Sequence, residues 1–244
     1  MPLPFPHAGY SEDVVRRVRV LFGGKFVVDA QRPKLVWEHP SYPIFYFAKS
    51  DVCLDNLQNA KTRTTAEIYD LVVGDRVAAG AVTVIQGGDF HDLVKVAFDK
   101  ADAWFEEDER IYVHPKDPYK RIDILPSSKH IRVEIDGVEV ANTKKPKLLY
   151  ETGLPIRSYI PMTDVRLDLL TPSDRVTSCP YKGDANYLEV HLPSPKKTKE
   201  GLVWWYKTPT VECAGIKGHV AFYDEEVDVW VDGVKQERPV KKSS

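Results

Sequence analysis

Alternation of apolar and polar residues is the first regularity along this chain. "RVRVLF" (17–22) and "IRVEI" (131–135) set apolar residues at every second position for most of their length, the period of a half-buried β-strand. The first run ends at Gly23-Gly24 and the second at Asp136-Gly137. Such dipeptides close tight hairpins, because glycine takes positive φ without a Cβ clash. "KFVVDA" (25–30) and "VEVAN" (138–142) supply the returning strands, and "PIFYF" (43–47) and "RSYI" (157–160) are further short β-rich runs. After them, "KSDVCLDNL" and "MTDVRLDLL" read as short helical turns with Ser50 or Thr163 as N-cap. "DLVVG", "VAAGAVTVI", "NYLEVHL", "LVWWY", "HVAFY" and "VDVWVDG" complete an antiparallel set. The predicted class is all-β with minor α, a sandwich, barrel or folded sheet of many short strands.

The pattern occurs twice. With a constant shift of 113 residues and no gap, 18–52 matches 131–165. Arg19 falls on Arg132, Gly24 on Gly137, Pro33-Lys34-Leu35 on Pro146-Lys147-Leu148, Glu38 on Glu151, Tyr46 on Tyr159 and Asp51-Val52 on Asp164-Val165. Later, "VAF" at 96–98 recurs at 220–222, and "DAW" (102–104) resembles "DVW" (228–230). A retained register of this kind marks a tandem duplication. Two domains of similar fold are expected, at 14–126 and 127–240, joined near the Pro- and charge-rich "HPKDPYKRIDILPSSKH".

Composition narrows the classes. At 244 residues, with 43% hydrophobic and 29% charged residues, the chain can bury a sizeable core. A formal net charge of -2 gives no basic field, so nucleic acid is not expected as a partner. Lysines gather only in "SPKKTKEG" (194–201) and the terminal "KKSS", read as solvated loop and tail. No apolar run approaches the roughly 20 residues that span a bilayer, and the N-terminus has no apolar signal core. Three widely spaced cysteines (Cys53, Cys179, Cys213) suit free thiols in a reducing compartment. A cytoplasmic location without membrane contact is the expectation.

The second copy carries "VEIDGVEVANT", "LLYETGLPIRSYIPMTDV", "CPYKGDANY", the Trp204–Tyr206–Pro209 spacing and "IKGHVAFYDEEVDVWVDG". In that order these segments resemble the family filed as domain of unknown function 427, which some collections label nucleotidyltransferase-like. The first copy looks like a diverged relative that lacks "CPYKG". The resemblance implies compact antiparallel domains, similar to the tent-like sheets of methionine sulfoxide reductase B. Zinc-binding members of that group use two Cys-x-x-Cys pairs, and this chain has none. No glycine-rich phosphate loop supports the nucleotidyltransferase label.

Candidate chemistry concentrates in the second copy. Pro180 and Gly183 make "CPYKGD" a sharp turn. That turn sets Tyr181 and Lys182 at its tip, between Cys179 and Asp184, with Tyr187 on the strand beyond. Cys179 is either a buried inert thiol or a thiolate activated by Lys182 or His219. Lys182 is either a surface lysine or a cation for an oxyanion, and Asp184 either caps the turn or joins the site. On "GHVAFYDEE", strand parity puts His219, Ala221 and Tyr223 on one face, and His219 is suited to proton transfer near neutral pH. The first copy has Lys95 and Asp99 where His219 and Tyr223 stand, so the fold itself does not demand them. Trp204 and Trp205 must face opposite ways on a regular strand, so that one can wall a cavity. Arg157 is a candidate bidentate anion clamp, with Tyr159 and Tyr206 as further aromatic contacts.

The resulting expectation is a cofactor-independent small-molecule enzyme of lyase, isomerase or hydrolase type. Lys182, His219, Cys179, Tyr223 and Asp184 are its catalytic candidates. Tyr181, Tyr187, Arg157, Tyr159, Trp204 and Tyr206 are its substrate-binding candidates, and no metal site is predicted. The alternative is a non-catalytic small-molecule-binding module or an interaction scaffold.

Overall fold

In a computed structural model of the chain, residues 5–193 and 196–240 are described. The chain divides into two compact units between Tyr119 and Lys120. The first contains β1 (Ser11–Asp13), β2 (Val18–Phe22), β3 (Lys25–Ala30), β4 (Lys34–His39), β5 (Tyr42–Ala48), β6 (Leu57–Arg63), β7 (Ala66–Val73), β8 (Arg76–Ile85), β9 (Leu93–Val96), β10 (Ala103–Glu106) and β11 (Glu109–Ile111). The second contains β12 (Ile122–Pro126), β13 (Ile131–Ile135), β14 (Val138–Thr143), β15 (Lys147–Glu151), β16 (Arg157–Pro161), β17 (Leu170–Cys179), β18 (Gly183–Pro193), β19 (Lys196–Tyr206), β20 (His219–Phe222), β21 (Asp228–Val231) and β22 (Val234–Lys235). The expected all-β class is what forms. Each unit holds a seven-stranded and a four-stranded sheet, with every strand pairing antiparallel.

The large sheet of each unit folds along one strand. In β16, Arg157, Ser158 and Tyr159 pair with β15, whereas Ile160 and Pro161 pair with β20. In β5, Ile44, Phe45 and Tyr46 pair with β4, and Phe47 and Ala48 pair with β9. A strand that changes partner midway bends the sheet into a tent over the small one. Val18, Val20, Phe47, Val82 and Val94 fill the core of the first unit, and Ile131, Val133, Ile160, Val190, Val220 and Phe222 that of the second.

The duplication begins one strand earlier than the expected boundary. β12 pairs Ile124 with Leu149, and β1 pairs Ser11 with Val36, at the same 113-residue shift. β12 thus belongs to the second unit's sheet rather than to a linker. The two "helical turns" are pairs of 3-10 turns, at Lys49–Asp51 and Leu54–Asn56, and at Met162–Asp164 and Leu167–Leu169. Ser50 and Thr163 lie inside these turns and cap neither. Ala48 and Pro161 hold the cap positions without a side-chain bond. Of the lysine-rich stretch, 196–201 is strand β19, and 194–195 and the terminal 241–244 lie outside the described residues.

Candidate functional site

Parity along β18 and β19 creates two differently used faces. Leu188, Val190 and Leu192 of β18 and Val203 of β19 point into the core between the sheets, where Trp205 also packs. Ala185 and Tyr187 of β18 point the other way, with Trp204 and Tyr206 of β19, Tyr159 of β16 and Ala221 of β20. The two tryptophans therefore part as expected, and Trp204 walls a cavity of about 500 Å³, within the size range of small-molecule sites. Seven of the eleven candidates line it: Arg157, Tyr159, Lys182, Tyr187, Trp204, Tyr206 and Tyr223.

Lys182 reaches the cavity from the β17–β18 turn. Gly183 adopts φ 92° there, a left-handed conformation that glycine accepts freely. The turn is held by Thr210, whose hydroxyl donates to Tyr181 O at 2.6 Å and whose N–H donates to Lys182 O at 3.2 Å. Lys182 Nζ donates to Glu151 Oε2 at 2.5 Å, and the two side chains are only 12% and 8% exposed. The lysine is thus a largely buried ion-pair partner at the cavity wall rather than a surface residue at a turn tip.

Arg157 is anchored at a second point of the cavity. Its guanidinium donates to Glu225 at 2.9 and 3.1 Å and to Phe222 O at 2.9 Å, and it lies 3.3 Å from Asp224. It also lies over the rings of Trp204 and Tyr223, at 5.3 and 5.9 Å. Burial disfavours this charge, but Glu225 and Asp224 outweigh burial and raise its pKa above the usual arginine value. Burial likewise drives Asp224 up to about 6, against the pull of Arg157. The expected anion clamp is therefore a cation already held by carboxylates of its own unit.

Burial raises the phenols of Tyr159 and Tyr206 well above their ordinary range. Burial and then Tyr187 push Tyr223 up to about 12. The Tyr187 hydroxyl is 3.0 Å from Thr177 Oγ1. At neutral pH Tyr159, Tyr206 and Tyr223 are protonated donors around an apolar floor.

Four candidates lie off the cavity lining. Cys179 ends β17 opposite Gly183 and is partly exposed. Asp184 is exposed and accepts from Ser178 Oγ at 2.6 Å. Tyr181 is buried beside the turn, its ring 5.9 Å from Lys120 Nζ. His219 shares the face of Ala221 but sits at the opposite end of β20 from Tyr223, beside Pro161, with Nδ1 2.9 Å from Lys217 O. Burial lowers its pKa. Strand parity gives a side chain's face but not its distance along the sheet, so His219 and Tyr223 do not meet.

Sequence reasoning missed Glu151, Asp224 and Glu225 as site residues. A signal for Glu151 existed, since glutamate and tyrosine are retained together in both copies as Glu38/Tyr46 and Glu151/Tyr159. Asp224 and Glu225 sit in an acidic run that composition does not distinguish from a solvated turn. Among the described residues, no group of three or more His, Cys, Asp or Glu is arranged to hold a metal ion. No helix among them is long and apolar enough to cross a membrane.

Fold and site together define a tandem antiparallel β protein with an aromatic, ion-paired cavity in its second unit. Residues 11–86 and 123–233 match the family described as "Domain of unknown function (DUF427)", and the chain belongs to that family. No curated protein matches the chain.

Proposed function

We propose that the second unit is a cofactor-independent enzyme acting on a compact organic molecule by proton transfer, as a lyase or isomerase. The observation that carries this reading is the buried Lys182–Glu151 pair fronting an aromatic cavity. A carboxylate and an ammonium held together with little exposure to water suit the removal of a proton from a carbon next to a carbonyl. The Glu151 carboxylate takes that proton, and the C–H electron pair moves into the enolate. Lys182 and a protonated tyrosine such as Tyr159 hydrogen-bond the developing oxyanion. Return of the proton at another carbon gives an isomer, and departure of a β-substituent with the electron pair gives an alkene. Trp204, Tyr187 and Tyr206 supply flat apolar walls that exclude water.

Incubation of the full chain with a metabolite extract in heavy water tests this reading, with mass spectrometry of both the bound and the free pools. One retained compound is expected to gain deuterium or change mass. Glu151→Gln, folded by circular dichroism, is expected to retain the compound and leave it unchanged. Retention without chemistry in the wild type favours a binding module instead. That second reading draws on the position of His219 and Cys179 away from the cavity and on the carboxylates that already occupy both cavity cations.

A further inference from the structure

The first unit carries a cavity of its own, of about 660 Å³, and its chemistry differs from that of the second. At the positions equivalent to Arg157 and His219 it has Ile44 and Lys95. Ala81, whose carbonyl accepts from Ala97 N–H at 2.8 Å, occupies the place where Trp204 pairs with Ala221. The replacements of Arg157 and Trp204 remove a cation and a large ring, which leaves room. The Glu–Tyr pair is nevertheless kept. Glu38 Oε1 accepts from the Tyr46 hydroxyl at 2.5 Å and also from Lys95 Nζ. In the second unit the lysine on the matching glutamate comes from the β17–β18 turn, and here it comes from β9. A lysine–glutamate pair is thus assembled from different elements in the two units, and in each the lysine lines the cavity.

The walls are aromatic and partly preorganised. Phe98 stacks on Trp104 at 4.8 Å and 5°, and Tyr42 stacks on His114 at 4.3 Å and 19°. His114 is held by a tight turn in which its N–H donates to Tyr112 O at 2.9 Å. The central residue, Val113, has φ 72°, a conformation that is strained for a β-branched side chain. Strain of this kind persists where surrounding structure holds a functional element in place. Arg110 also lines the cavity. Its guanidinium donates to Asp102 O at 3.1 Å and lies 5.1 Å from the Tyr112 ring. The carboxylate of Asp102 is taken by Arg76, and among the described residues Arg110 has no carboxylate partner.

We propose that this cavity is a second ligand site, for a planar aromatic molecule bearing a carboxylate. The ring lies against the stacked aromatic walls, and Arg110 takes the carboxylate, a geometry its planar fork suits. The assignment stands independently of the reaction proposed for the second unit. It is tested by saturation-transfer NMR and calorimetry on the full chain, with phenylpropionate, phenylpropylamine and phenylpropanol as matched probes. The acid is expected to bind at least about tenfold more tightly than the amine or the alcohol, as a charge-assisted contact provides. Arg110→Ala, at an exposed position and shown to be folded by circular dichroism, is expected to reduce the acid to the affinity of the alcohol. Lys182→Ala is expected to leave the acid's affinity unchanged. Equal affinity for the three probes, or no binding of any, overturns the proposal. So does acid binding that survives Arg110→Ala and disappears in Lys182→Ala, because it then belongs to the second unit's cavity.

Discussion

Removing Lys182 leaves Glu151 as a nearly buried carboxylate without its cation. Breaking a buried pair from one side costs about 3–5 kcal/mol. Because this pair borders a cavity, Lys182→Met is expected at the lower end of that range in urea unfolding. Lys182→Met combined with Glu151→Leu is expected to recover most of the loss, since no lone charge remains. A single variant within about 0.5 kcal/mol of wild type would mean that the pair is solvated. Asp224 provides a pH test with a definite sign. Its pKa rises from 3.8 to about 6 on folding. Between those values the native state holds a proton that the unfolded state has released. Stability from this group therefore falls as pH rises from 3.8 to about 6, and its cost is fully present above that. Asp224→Asn removes the dependence, so the melting temperature of the variant minus that of wild type is expected to increase from pH 4 to pH 7. A flat difference across that range contradicts the burial assigned to Asp224. Residue-level chemistry was only partly legible in the sequence. The opposed faces of Trp204 and Trp205 follow from strand parity. The ion pairs of Lys182 and Arg157 depend on where β15 and the 224–225 turn come to lie, which no local pattern encodes.

Elements were the most legible scale, because hairpins are specified locally. The period of two in 131–135 and the glycine after Asp136 are enough to set β13 against β14. The 3-10 turns show where local reading fails. Ser50 and Thr163 are good capping residues by type, but each turn begins two residues too early for them, with Ala48 and Pro161 at the cap positions, so both fall inside the turn. The β17–β18 turn is the element on which the site depends, and Gly183 is its tightest point. A Cβ there would lie 3.1 Å from Thr208 O, with φ already at 92°. Gly183→Ala is therefore expected to cost about 1–3 kcal/mol, from backbone strain together with the contact. It is also expected to displace Lys182 from Glu151, visible as a changed Lys182 ammonium signal in NMR. Gly137→Ala, at φ 81° but with nothing within 4 Å of the added Cβ, is the control for strain alone. Equal losses in the two variants would show that packing on Thr208 contributes nothing.

At the scale of the whole chain, the duplication was visible in sequence while its starting point was not. Ser-Glu-Asp at β1 has no apolar alternation, and the second copy of that strand ends in Pro126 followed by Ser127-Ser128, so both resemble linker. Only the pairing of β12 with β15 shows that the leading strand is part of the repeat. Each unit has its own pair of sheets and its own buried core, with Phe47 fully buried in one and Phe222 almost fully in the other. A truncation in either core should then lower the stability of that unit first. Phe→Ala in a packed core costs about 3–5 kcal/mol, and such a loss moves the melting point of a domain of this size by roughly ten degrees or more. In calorimetry of the full chain, Phe47→Ala is expected to shift one component of the unfolding endotherm downwards, and Phe222→Ala the other. The Lys182 ammonium signal can report which component is the second unit, since it should vanish with the transition that Phe222→Ala moves. If both substitutions shift a single two-state transition by the same amount, the two cores unfold as one cooperative block, and the duplication has been overridden energetically. If the transitions separate and Phe222→Ala places that of the second unit below that of the first, the first unit's cavity can be titrated in that variant at a temperature where only the first unit remains folded, which provides direct access to the chemistry around Arg110.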